Sequence, residues 1–254
     1  MDQARQTQVA EYIARSVGAS TDLTIHNIRQ LSGGDSRENW LFELELVGGE
    51  LTGRQLFVVR MEDESLMPFS HNCLQEFHLQ KFLKAHDVMV PEPMFLSEDE
   101  EISPQPFYVM PRVAGRGSGE RLISDIGGTE EGVEFVEIVA VELAKLHAIR
   151  PPQEELIFLG SPPERPARKA LDQAYAYLDN ICEKSSALAY PVLEWGLRWL
   201  SNNEPERQDV ALCHGDFHLG NLMISDKKLS GILDWEYTDW FDPHLDLATF
   251  CAKF

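Results

Sequence analysis

Residues 213–236 bring together the side chains best able to do chemistry. The run Cys213-His-Gly-Asp-Phe-His-Leu-Gly-Asn221 is followed, past a short apolar hairpin, by Leu233-Asp-Trp-Glu236. Leu222-Met-Ile224 and Leu229-Ser-Gly-Ile-Leu233 read as two strands joined by the polar turn Ser225-Asp-Lys-Lys228. Counted about that turn, an antiparallel register sets Ile224 against Gly231, Leu222 against Leu233 and Asn221 against Asp234. Directly opposed Cβ atoms lie about 4.5–5.5 Å apart. An amide oxygen and a carboxylate at that separation suit a hard octahedral cation such as Mg²⁺, which keeps some waters and takes other ligands from phosphate. Asp216, just upstream on an irregular loop, can accept a proton from a hydroxyl. The pattern His214-x-Asp216-x-His218 also admits a metal cluster, but no further His or Cys group with ligand spacing supports one. His214 reads as a loop-orienting hydrogen-bonding residue and His218 as a part-exposed loop residue.

Elements that could position these groups follow from periodicity. Val9, Tyr12, Ile13 and Val17 predict a helix over 3–17, stopped by Gly18. Strands are expected over 23–31, through Phe42, Leu44 and Leu46, and from Gln55 to Met61, an antiparallel meander. Gly33 and Gly34, between the first two strands, let backbone N–H groups approach an anion, and Ser36 adds a hydroxyl donor. Leu56, Val58 and Arg60 share one strand face. The helix expected over 71–86 puts Glu76 in an apolar stripe with Cys73, Leu79 and Leu83, where an unpaired charge costs several kcal/mol; Arg60 is the expected partner. After Pro91-Glu-Pro93 and the strand-like run Phe107–Gly115 the chain turns helical. Over 132–149, Phe135, Ile138, Val139, Leu143 and Leu146 share a face, and His147 reads as a packing or hydrogen-bonding residue. Residues 151–167 are Pro-rich and loop-like. Helices over 168–185 and 190–201 carry Leu171, Tyr175, Tyr177 and Leu178, then Leu193, Trp195, Trp199 and Leu200, expected in the core. Leu247, Phe250, Cys251 and Phe254 form an apolar stripe at the end, a surface for self-association.

With 254 residues, the chain has length for one large domain or two lobes. A net charge of −20 argues against nucleic acid and tolerates a cationic substrate. No run approaches a membrane span, and the polar start lacks a signal-peptide core. Four scattered cysteines fit a reducing cytoplasm.

His214-Gly-Asp216 through Asn221, Leu233-Asp-Trp-Glu236 and Asp242-Pro243…Asp246-Leu-Ala248 together resemble the aminoglycoside phosphotransferase and choline kinase-like family. Gly220-Asn-Leu-Met223 with Leu233–Glu236 is similar to the branch found beside acyl-CoA dehydrogenases. The resemblance implies an α+β, protein kinase-like two-lobed fold, with a small antiparallel-sheet N-lobe over 1–110 and a mostly helical C-lobe over 111–254. It implies Mg²⁺-dependent transfer of the γ-phosphoryl of ATP or GTP to a small-molecule hydroxyl. Hydroxyacyl thioesters, amino sugars and amino alcohols are the candidate acceptors. On this resemblance Asp216 is the catalytic base, and Asn221 and Asp234 hold Mg²⁺. Arg60, fixed by Glu76, supports the α/β-phosphates under a loop of Gly33, Gly34 and Ser36. Pro111 C=O and Val113 N–H hold the nucleobase, Asp246 braces the catalytic loop with His214, and Glu236 faces the acceptor. Arg60 departs from the lysine of the family pattern. Relatives continue with further helices, so the chain is expected to be truncated. A non-catalytic nucleotide-binding scaffold is the alternative. A protein kinase is disfavoured because no activation segment follows Glu236.

Overall fold

Asp2 opens the first helix, α1 (Gln3–Ser16), by accepting from Arg5 N–H at 2.9 Å, which satisfies one of the donors a helix start leaves orphaned. Val9, Ala10, Ile13 and Ala14 form its buried face. These and all later coordinates come from a computed structural model that describes residues 1–31, 37–62, 68–117, 124–184 and 190–253. Gly33, Gly34, Ser36 and Phe254 therefore lie outside the described residues. The chain forms two compact units, Met1–Ser118 with Leu222–Glu236, and Gly119–Asn221 with Tyr237–Phe254.

In the first unit, β1 (Thr24–Gln30), β2 (Glu38–Leu46), β3 (Gly53–Met61), β4 (Phe95–Ser97) and β5 (Phe107–Pro111) make a sheet of order β1-β2-β3-β5-β4, every pair antiparallel. Side chains alternate across a strand, and here both faces are covered. Trp40, Phe42, Leu44, Phe57 and Val59 pack with α1 on one side. Leu41, Val58 and Tyr108 meet Cys73 and Phe77 of α2 (Cys73–Ala85) on the other. A reciprocal cap starts α2: Asn72 Oδ1 accepts from Gln75 N–H at 2.8 Å, and Gln75 Oε1 from Asn72 N–H at 3.0 Å.

The second unit contains α3 (Glu130–His147), α4 (Pro166–Lys184), α5 (Pro191–Asn202) and the short β6 (Ala211–Cys213). Phe135, Val139, Leu143 and Leu146 are buried as expected of α3, whereas Ile138 is exposed. The expectation for α5 fails: none of its residues is buried, and Trp195 and Trp199 are 71% and 55% exposed. Its period is helical, but periodicity marks an apolar face without saying what covers it. A 3₁₀ segment, Glu154–Leu159, buries Leu156 and Leu159 within the stretch read as loop.

The chain then contributes β7 (Leu222–Ser225) and β8 (Lys228–Ile232), which belong with the first unit. Arg116 and Ile224 exchange backbone hydrogen bonds, Ile232 N–H donates to Met89 O at 2.8 Å, and Ser230 Oγ donates to Ala114 O at 2.6 Å. The expected hairpin register is corrected. Leu222 pairs with Ile232, Met223 with Gly231, Ile224 with Leu229 and Ser225 with Lys228, with an irregularity between Met223 and Ile224. The turn is only Asp226 and Lys227, at φ 50° and 63°, the doubly left-handed form whose twist suits a two-residue hairpin. The ladder ends at Leu222–Ile232, so the pairing of Asn221 with Asp234 is not made; Asn221 closes a 3₁₀ turn, Leu219–Asn221, instead. Back in the second unit, β9 (Asp239–Phe241) pairs with β6, and α6 (His244–Ala252) follows. Leu247 and Cys251 of its stripe are exposed, while Phe250 lies 5.7 Å from the Phe217 ring. No described helix is long and apolar enough to cross a membrane.

Candidate active site

Two clusters of candidate residues form, one in each unit. In the first, Glu76 on α2 and Arg60 on β3 meet as their shared burial requires: Arg60 Nε donates to Glu76 Oε2 at 3.0 Å, and Arg60 Nη2 to Asp234 Oδ1 at 2.8 Å. Burial alone would push the Arg60 guanidinium toward neutrality, but the charges of Glu76 and Asp234 and the Tyr108 phenol hold its pKa well above the usual value. Gln80 Nε2 donates to Glu76 Oε1 at 3.4 Å and to Tyr108 Oη at 2.7 Å.

Arg37, which sequence reasoning passed over, supplies a second guanidinium. Its side chain is fully buried, with Nε 3.4 Å from Glu76 Oε2 and 3.8 Å from Glu236 Oε2, and Nη1 3.7 Å from Glu62 Oε2. It also donates to His71 O. No signal in the sequence pointed to it, because Glu62, Glu76 and Glu236 converge on it only in the folded chain. Glu236, expected at the acceptor, has its carboxylate buried beside Arg37. Glu62 Oε2 accepts from Cys73 N–H at 2.6 Å, a carboxylate at the positive end of α2. Burial pushes the Cys73 thiol up to about 12.

Asp234 has φ 67°, a left-handed conformation costing about 1–2 kcal/mol for a residue with a Cβ. Its neighbours hold it there. Trp235 is fully buried with Nε1–H donating to Ile232 O at 2.9 Å, and Glu236 O accepts from His71 N–H at 2.8 Å. At the end of β5, Arg112 N–H donates to Leu56 O at 2.9 Å. Backbone groups alternate in direction along an extended strand, so Pro111 C=O faces the opposite edge, and Val113 lies two residues past the end of β5.

The second cluster is built on the loop after β6. Gly215 has φ 84°, and a Cβ there would stand 2.3 Å from Tyr237 O, so only glycine fits. Asp246, fully buried on α6, accepts from His214 N–H and Gly215 N–H, both at 2.9 Å, and its Oδ2 lies 2.9 Å from His147 Nε2. That carboxylate, with His147 and Cys213 close by, is engaged as a brace of the loop. His214 Nδ1 accepts from Asp216 N–H at 3.3 Å.

Asp216 is partly exposed and surrounded by donors. Lys253 Nζ donates to Oδ1 at 2.7 Å, His218 Nε2 lies 3.3 Å from Oδ2, and Asn221 Nδ2 donates to the Asp216 backbone O at 3.0 Å and to Oδ2 at 3.4 Å. Burial pushes the carboxyl pKa up, but Lys253, His218 and His214 together bring it below the usual value. With its N–H₂ turned onto Asp216, Asn221 leaves its amide oxygen as an acceptor. Lys253 went unnoticed in the sequence, and His218 was read as a bystander; nothing in the spacing placed the former near Asp216.

Residues 27–254 match the phosphotransferase enzyme family, APH. Acyl-CoA dehydrogenase family member 11 of Gallus gallus is 27% identical over 226 residues, covering 87% of this chain and 27% of that protein. The chain spans 27%, 19% and 32% of the lengths of three curated relatives, all named as acyl-CoA dehydrogenase family members 10 or 11. Among solved structures, a candidate aminoglycoside phosphotransferase of Ralstonia eutropha aligns at TM-score 0.68 and 22% identity over 96% of this chain and 69% of that one. The streptomycin–ATP complex of APH(2″)-IIa aligns at TM-score 0.62 and 20% identity over 97% of this chain and 74% of its own. The fold is thus α+β and protein-kinase-like, and with residues 27–254 of its 254 matched, the chain belongs to the phosphotransferase enzyme family.

Proposed function

We propose that this chain is a small-molecule kinase, transferring the γ-phosphoryl of ATP or GTP to a hydroxyl in a Mg²⁺-dependent reaction. The observation that carries the reading is Arg60, held between Glu76 and the strained Asp234, because it unites residues far apart in sequence around one charge. Neighbouring structures bind ATP and streptomycin, which favours a nucleotide donor and a small hydroxylated acceptor. Hydroxyacyl thioesters, amino sugars and amino alcohols are the acceptor classes proposed. Four free cysteines agree with a cytoplasmic site of action.

By type, the carboxylate of Asp234 and the amide oxygen of Asn221 are each hard ligands of the kind Mg²⁺ takes. An ion held by them would neutralise phosphate charge. Arg60, kept charged and oriented by Glu76, supports the α/β-phosphates. Pro111 C=O and Val113 N–H receive the base. Asp216, held by Asn221 and presented by a loop that Asp246 and His214 brace, takes the acceptor proton as the hydroxyl oxygen attacks phosphorus and the nucleoside diphosphate leaves. Glu236 lies beside Arg37 in the first cluster.

Calorimetric titration of ATP with and without Mg²⁺ tests the donor site. Asp216→Asn is expected to lower turnover about 10²–10⁴-fold with nucleotide affinity unchanged; full turnover in that variant removes the base. A second reading, a nucleotide-binding scaffold without catalysis, is favoured by Lys253 lying on Asp216 Oδ1. Metal-dependent binding with no transfer to any hydroxyl would select it.

A further inference from the structure

His218 has a defined place beside Asp216 that the proposed mechanism leaves unused. Gly220 N–H donates to His218 Nδ1 at 3.0 Å. A nitrogen that accepts carries the lone pair, so the neutral ring keeps its proton on Nε2. Nε2 lies 3.3 Å from Asp216 Oδ2, within charge–dipole reach but outside hydrogen-bond geometry. Donor contacts at catalytic carboxylates are often long without substrate and tighten when it binds. The ring's place depends on the absence of a side chain at 220, since a Cβ there would stand 2.6 Å from His218 Cε1 and 2.9 Å from Nδ1. The short segment 218–220 thus sets both the tautomer and the position of one imidazole.

We infer that His218 is a positioning residue for Asp216: through Nε2–H it fixes Oδ2, so that Oδ1 alone is presented to the incoming hydroxyl. This rests on the reading of Asp216 as base. The division of labour is visible already. Asn221 Nδ2 and His218 Nε2 both lie nearer Oδ2, while Oδ1 takes the exposed ammonium of Lys253. A carboxylate anchored on one oxygen loses rotational freedom that would otherwise have to be lost on the way to the transition state.

Two side chains separate the ring's functions. Gln can place a donor where Nε2 lies, whereas Asn can replace only the Nδ1 acceptor for Gly220 N–H. Release of phosphate from Mg·ATP, with water as acceptor, reads the effect without an identified substrate. His218→Asn, His218→Ala and Gly220→Ala are expected to lower kcat about 10–100-fold, the scale of one hydrogen bond to a charged group, with the KM for ATP unchanged. His218→Gln is expected to stay within about threefold of the parent. Equal rates for His218→Gln and His218→Ala, or a parent rate in His218→Asn, would overturn the assignment.

A second readout is independent of turnover. Imidazole ¹⁵N spectra of the chelator-treated 254-residue chain should show the neutral His218 ring protonated at Nε2, with that resonance moved by Asp216→Asn. Protonation at Nδ1, or no response to Asp216→Asn, overturns the contact. If the parent transfers phosphate neither to water nor to any hydroxyl acceptor, the kinase reading falls, while the spectra still decide for or against the His218–Asp216 contact.

Discussion

A single carboxylate shows how far residue-level physics carries. Glu76 lies in an apolar stripe of its helix, and a buried acid must find a cation. Arg60 on the facing strand was thus legible before any coordinates, and the 3.0 Å contact meets that demand. Arg37 was not legible. Its partners Glu62, Glu76 and Glu236 come from three separate elements, and no local pattern announces a meeting that only the tertiary fold creates. Removing one acid from such a cluster strands buried guanidinium charge. Glu76→Gln is therefore expected to cost about 3–5 kcal/mol in urea unfolding and to weaken Mg·ATP binding in the same variant. A stability change under about 1 kcal/mol would show that Glu62, Glu236 and Asp234 satisfy both arginines without it.

Helices were readable to within a few residues: the one expected over 3–17 spans Gln3–Ser16, and that over 71–86 spans Cys73–Ala85. A 3.6-residue apolar period and a capping residue are local signals, so one sequence shows them. Hairpin register is a different matter. It depends on turn conformation, and Asp226-Lys227 takes up a doubly left-handed turn without the Asn-Gly pair that usually signals it. The irregularity between Met223 and Ile224 shifts the pairing further, which moved Asn221 from the ladder to a 3₁₀ turn. Replacing Asp226-Lys227 by Asn-Gly should relieve left-handed strain and stabilise the chain by about 1 kcal/mol, seen as a higher urea midpoint at constant slope. A lower midpoint would mean that the turn side chains contribute more than their backbone conformation costs.

Across the whole molecule, an excess of acids giving −20 must be held at protein density. Like charges more than a Debye length apart stop repelling when that length shrinks with salt. Raising NaCl from about 0.05 M to about 0.5 M should therefore stabilise the chain, by about 1 kcal/mol or 2–4 °C in Tm. A falling Tm would give the buried ion clusters the larger share of the electrostatics. Chain-wide charge and one local contact meet at Lys253, whose ammonium, in a protein short of cations, rests on Asp216 Oδ1 at 2.7 Å. A tethered ion is present at an effective concentration of about the millimolar range, whatever the solution contains. An attacking oxygen must outcompete this internal occupant, so Lys253 sets a threshold that weak acceptors, water first among them, pass slowly. Lys253→Met should then raise phosphate release from Mg·ATP several-fold, and an unchanged rate would mean that the ammonium leaves before the attack it was thought to restrain.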